Sequence, residues 1–110
     1  MPDISITVTG TPPSGSYSSN SNKVAADGTI TVNPGTTSIS FQRGSDQSWS
    51  FQLPYITVTP DGPFDLQSAD DAQVTIEDND PGGGQDRSYE YTLHTTAGNF
   101  DPEIINKGSG

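Results

Sequence analysis

The apolar residues of this chain recur at every second position, in short runs. Ile4, Ile6 and Val8 alternate with Ser5, Thr7 and Thr9. Ile30 and Val32 alternate with Thr29 and Thr31, and Ile39 and Phe41 with Ser38, Ser40 and Gln42. Trp49, Phe51 and Leu53 follow the same rule, as do Val74 and Ile76, and then Tyr89, Tyr91 and Leu93. A period of two sends successive side chains to opposite faces, so each run predicts a strand with one buried and one wet face. No segment carries apolar residues at helical spacing.

Turn chemistry separates the runs. Asp27-Gly28 and Pro60-Asp61-Gly62-Pro63 are turn signals, and Asn33-Pro34-Gly35 combines a preset φ from proline with a positive φ from glycine. Residues 29–32 and 37–42 then predict a hairpin through Asn33-Pro34-Gly35, with Ile30 and Val32 on the same side as Ile39 and Phe41. Residues 10–22 (GTPPSGSYSSNSN) predict a loop anchored to the body by Tyr17. Pro54 ends its strand or marks an edge, because it has no N–H for a ladder. Phe64 and Leu66 read as a satellite of the core beneath the 61–71 loop, and residues 98–106 as a short closing strand.

The chain is organised around residues 72–95. Their two alternating runs predict a hairpin joined by Asp78-Asn79-Asp80-Pro81-Gly82-Gly83-Gly84. Proline removes a donor there and successive glycines make ordered structure costly, so the connection is expected to be a loop with both ends in water. Short alternating strands between turns mean an all-β fold. The expectation is an antiparallel β-sandwich, immunoglobulin-like, of about seven strands, with Trp49 as the central core aromatic. Residues 1–107 form one domain in this reading, and Gly108-Ser109-Gly110 a flexible tail or linker remnant.

Composition narrows the chemistry. The chain has no cysteine, which excludes a disulfide scaffold and a thiol nucleophile. Its net charge is -10, with only four Lys and Arg in all. Four cations cannot neutralise a phosphate track, so nucleic acid and anionic membrane are not expected partners, whereas cations are. No window is apolar enough to span a bilayer. The N-terminal MPDISITVTG has no basic region and no apolar run, so no signal peptide is visible; a cytoplasmic location is expected, the alternative being a leader missing from this sequence.

Candidate catalytic groups are few. His94 is the single histidine, and alternation places it on a wet strand face with Glu90 and Thr92. Paired carboxylates performing acid–base work need a cleft and a desolvated member, and the pattern suggests neither. Gly82-Gly83-Gly84 lacks the Lys-Ser/Thr and the helix start of a phosphate loop. Trp49, Phe51, Tyr89 and Tyr91 fall on inward phases; only Tyr17 and Tyr55 are free for a ligand. An enzyme is not expected.

The acids suggest calcium more readily. Glu77, Asp78, Asp80 and Asp86 surround the glycine-rich connection, and Asp70 and Asp71 precede it. As an EF-hand loop starting at Asp78, the match fails. Gly82 takes the fifth position and Tyr89 stands where a bidentate Glu is needed. Asp78 and Asp80 therefore read either as turn formers bonded to nearby backbone, or as ligands of a non-EF calcium site in the 77–86 loop.

Two resemblances add to this. DPEIIN at 101–106, preceded by VTIEDND and SYEYTLHT and by the earlier TITVNPGTTSISFQ, resembles the DP-EP family of small bacterial β proteins. That resemblance implies an all-β fold and no established activity. AQVTIEDND at 72–80, with NPGTTSISF, is similar to the closing stretch of Calx-β domains, which are calcium-binding sandwiches. It implies Asp78 and Asp80 as metal ligands. Two features depart from Calx-β: another long strand follows, and the D-x-x-x-E-x-x-E loop is lacking.

The sequence thus predicts a non-catalytic acidic module with a protein or glycan partner and no cofactor. Homodimerisation through edge strands stays open. The alternative function is a calcium-binding sandwich domain using Asp78 and Asp80.

Overall fold

The computed structural model describes residues 3–107, apart from 13, 22, 26, 46, 60, 61, 63, 81 and 83. Among the described residues there are ten strands and no helix. They are β1 (Ile4–Thr11), β2 (Ser14–Ser19), β3 (Ile30–Val32), β4 (Gly35–Arg43), β5 (Phe51–Thr59), β6 (Phe64–Ala69), β7 (Gln73–Asp80), β8 (Arg87–Thr95), β9 (Gly98–Phe100) and β10 (Glu103–Asn106). One sheet runs in the order β2-β1-β4-β7-β6. The other runs β3-β10-β8-β5, with β9 also paired to β8. No helix of the described residues is long and apolar enough to cross a membrane.

The two sheets pack face to face over the residues that the alternation places inward. Ile4, Ile6, Val8, Ile39, Phe41, Val74 and Ile76 come from one sheet, and Ile30, Val32, Phe51, Tyr91, Leu93, Phe100 and Ile104 from the other. Trp49 joins this core, as expected, and its Nε1 donates to the Gly10 carbonyl at 2.8 Å.

Several expectations are corrected. The sheets are mixed rather than antiparallel, since β1 pairs with β4 in parallel and β10 with β3 in parallel. Side-chain alternation reports which face is buried and is blind to strand direction, so it could not have shown this. Ten strands stand where about seven were expected: β2 and β9 each carry a single large apolar residue, and Phe64 and Leu66 of β6 were assigned to a loop. The hairpin over residues 29–42 does not form. β3 and β4 lie in opposite sheets, and their apolar residues enter one core from two sides. Likewise β7 and β8 belong to different sheets, so residues 72–95 arch over the core instead of turning back within one sheet.

The loop expected at 10–22 is largely strand. β1 continues to Thr11, and β2 pairs with it from Ile6↔Ser19 to Thr11↔Ser14. Backbone pairing holds β2 in place, and its small residues let it close on the core. A Cβ at Gly15 would lie 2.8 Å from the Phe100 ring, and Tyr17 packs edge-on to the same ring at 6.2 Å.

Leu53 leaves the apolar face and is 78% exposed. The β5–β8 ladder slips between Phe51 and Ile56, where Tyr55 adopts a φ of +68°. Pro54 lies on an edge strand, one of the two places the sequence allowed it. Tyr17 and Tyr55 are half-buried against the core rather than free. Phe64 and Leu66 belong to β6, not to a loop. Of the turn expected at 60–63, only Gly62 is described, and the 108–110 tail lies outside the described residues.

Candidate cation site

β7 keeps its phase to its last residue. Val74, Ile76, Asp78 and Asp80 all point between the sheets, while Gln73, Thr75, Glu77 and Asn79 face outward. The two aspartates therefore continue an apolar stripe. Asp78 is 0% exposed and Asp80 5%. This corrects the expectation that both sit in water as turn formers. The ladder with β4 runs on through Thr37↔Asp78 and Gly35↔Asp80, and its hydrogen bonds hold the strand extended past its apolar part. Asp80 keeps part of the turn role, because its Oδ1 accepts the Gly82 N–H at 2.9 Å.

The opposite sheet supplies the third member. β10 alternates too, and its inward positions are Ile104 and Asn106. Asn106 is 2% exposed, and its Nδ2 donates to Asp78 Oδ1 at 2.9 Å. On the β6 side, Phe64 pairs in register with Asp78 and stacks edge-on to Tyr89 of β8 at 5.0 Å. On the β4 side, Gly35 has a φ of +115°, and the place of its missing Cβ has no heavy atom of the described residues within 4 Å. Open space thus adjoins the Asp80 end of the strand.

The balance of donors and acceptors is incomplete. Asp78 Oδ2, Asp80 Oδ2 and Asn106 Oδ1 are buried without a hydrogen-bond partner. Among the described residues these are the buried side-chain oxygens or nitrogens in that condition. Burial pushes the Asp78 carboxyl up to about 6; the Asn106 hydrogen bond works against this, and the nearby Asp80 charge adds to it. A proton on Asp78 turns one of the three oxygens into a donor that can serve at most one of the other two, so at least one stays without a partner. A divalent cation set among the three would meet them and offset the cost of two buried carboxylates.

Alternation splits the remaining expected ligands from this group. Glu77 lies on the outer face opposite Asp65. Asp86 is held at the surface by Lys107 at 2.7 Å. Asp70 Oδ1 accepts the N–H groups of Ala72 and Gln73, both at 2.8 Å, at the other end of β7. Asp71 is exposed beside it. Pro81 and Gly83 of the connection lie outside the described residues. His94 is on the outer face, its Nε2 3.1 Å from Thr57 Oγ1. Among the described residues no three Asp, Glu, His or Cys side chains converge; the cluster is two carboxylates and one amide.

Asn106 was missed in the sequence reading, although a signal was present. It is the polar residue on the apolar phase of Ile104, just as Asp78 and Asp80 continue the phase of Val74 and Ile76. No protein-family model matches the chain, and no curated protein matches it.

Proposed function

We propose that this chain is a non-catalytic β-sandwich module, immunoglobulin-like in its layering, whose acidic end binds a calcium ion through Asp78, Asp80 and Asn106. One observation carries the reading: three acceptor oxygens, buried together between the sheets, lack any donor. An all-oxygen set suits a hard cation over zinc or copper. Calcium takes six to eight oxygens in flexible geometry, so backbone carbonyls and water complete the shell. The ion would tie β7 of one sheet to β10 of the other. The Calx-β resemblance points to Asp78 and Asp80 as well, and it is silent on Asn106. The non-catalytic half of the reading is supported by enclosure: the carboxyl with the raised pKa is sealed inside and does not line a cleft a substrate enters.

Calorimetric titration of chelator-treated protein tests the proposal. Calcium is expected to bind one ion per chain, and Asp80→Asn to weaken it by at least about tenfold, which is ~1.4 kcal/mol. Asp65→Asn, which removes a carboxylate from the outer face, is expected to leave the isotherm unchanged. Absence of calcium binding, or equal losses in the two variants, contradicts the reading.

A further inference from the structure

The two sheets end together on one flank, with β6 the last strand of the first and β5 the last of the second. Between them runs a groove of about 270 Å³ lined by Ile56, Val58, Gly62, Phe64, Leu66 and Ile76. The side chains lining it are apolar, and Leu66 is 51% exposed. β6 (FDLQSA) has neither lysine nor proline to blunt its free edge. Its departure from regularity is the slip in its ladder between Leu66 and Ser68, which leaves Phe64–Leu66 regular.

The outer face beside this edge is charged and unbalanced. Asp65 and Glu77 are direct register partners, so two carboxylates stand side by side. Like charges at that position destabilise a sheet. Asp65 accepts a neutral hydrogen bond from Asn79 Nδ2 at 3.1 Å. Neither carboxylate has a cationic partner among the described residues.

We infer that the free edge of β6 is a docking site for an extended segment of a partner protein, its apolar side chains in the groove and its lysines or arginines over Asp65 and Glu77. A strand added to β6 completes main-chain pairing, which supplies affinity, while alternate side chains supply specificity. Its inward residues cover Leu66 and Phe64. Its outward residues lie directly opposite Asp65, within cross-strand reach. The charge argument chooses the occupant. A second copy paired through β6 would set one Asp65–Glu77 pair beside another, whereas a basic segment removes the repulsion already present. β5, with no charged residue along its length, offers no such selection.

The test uses the whole chain and two short blocked peptides, one alternating valine with lysine, the other valine with glutamate. Backbone amide NMR is expected to show the lysine peptide perturbing Phe64–Leu66, and the glutamate peptide leaving them unmoved. The double variant Asp65→Asn with Glu77→Gln is expected to weaken the lysine peptide at least about tenfold. Asp70→Asn with Asp71→Asn, an equal change of charge at the other end of β7, is expected to have little effect. Leu66→Ser, at an exposed position, keeps the fold and also weakens binding. Equal losses in the two double variants mean attraction to bulk charge alone and overturn the proposal. So does perturbation centred on β5, or a β6-paired dimer forming without peptide.

Discussion

At one end of the sandwich, every buried polar side chain among the described residues has its partner. Trp49 Nε1 reaches the Gly10 carbonyl, and Arg43 Nη1 donates to the Trp49 carbonyl at 3.1 Å and to Ser50 Oγ at 2.8 Å. Thr95 Oγ1 donates to the Gly98 carbonyl at 2.6 Å, and aromatic rings fill the space between. At the other end, Asp78, Asp80 and Asn106 are buried as deeply and leave three acceptors open. Burial of polar groups is thus not what distinguishes the acidic end. A satisfied network stabilises and orients a core, while an open one costs free energy until something supplies the missing charge or donor. Among the described residues the first end is complete within the chain, and the second is not.

The largest effect expected is at the complete end. Phe100 touches Trp49 at 5.3 Å and Tyr17 at 6.2 Å between ring centroids. Phe100→Ala should therefore cost about 3–5 kcal/mol in urea unfolding. A loss below ~1 kcal/mol would mean that this end is not the packed one.

Paired substitutions then set the ends against each other in metal-free protein. Trp49→Phe strands the Gly10 carbonyl and should destabilise by about 1–3 kcal/mol. Asp78→Asn removes a buried charge and brings a donor among the open acceptors, so stability should rise by up to a similar amount. If both variants lose stability, the contrast between the ends is wrong.

A third effect is one of pH. Burial raises the Asp78 carboxyl from an ordinary 3.8 to about 6 in the folded chain. Between these values the folded state holds the extra proton. Without metal, this group's contribution therefore falls as pH rises from 3.8 to about 6, and is level above. The difference in unfolding free energy between wild type and Asp78→Asn should widen across that window, in favour of the variant. Calcium needs the deprotonated carboxylates, so its stabilisation should grow over the same range. A wild-type difference that is flat with pH would argue against a desolvated Asp78.

Much of the core was legible from phase alone. The inward sets of β1, β4, β7 and β8 follow from alternation, since burying one strand face is what that pattern does. Pairing was not legible. β3 and β4 are separated by a turn that would serve a hairpin or a crossover equally well, and nothing in ITVNPGTTSIS distinguishes the two. β2 was hidden because its inward positions are Gly15 and Tyr17, and a strand held by its backbone leaves little side-chain pattern. At the candidate site, Asp beside Pro and Gly is also what a turn requires, so composition there does not reveal register. Asp78 and Asp80 were identified as oxygen donors, but their position on the inward phase was overlooked. Asn106 belongs with them only through the contact between sheets, which sequence order does not reveal.

The most direct test of the acidic end is a thermal melt of the wild-type chain in chelator, in calcium and in equal magnesium, at fixed ionic strength. Calcium at about a hundredfold its dissociation constant adds ~2.7 kcal/mol if it binds only the folded state. For a chain of this size that raises the midpoint by on the order of 10 °C. The expected result is such a rise in calcium, a smaller one in magnesium, and no calcium response in Asp78→Asn. Superimposed curves in chelator and calcium would contradict the central claim, and the three open oxygens would then be sustained by packing alone.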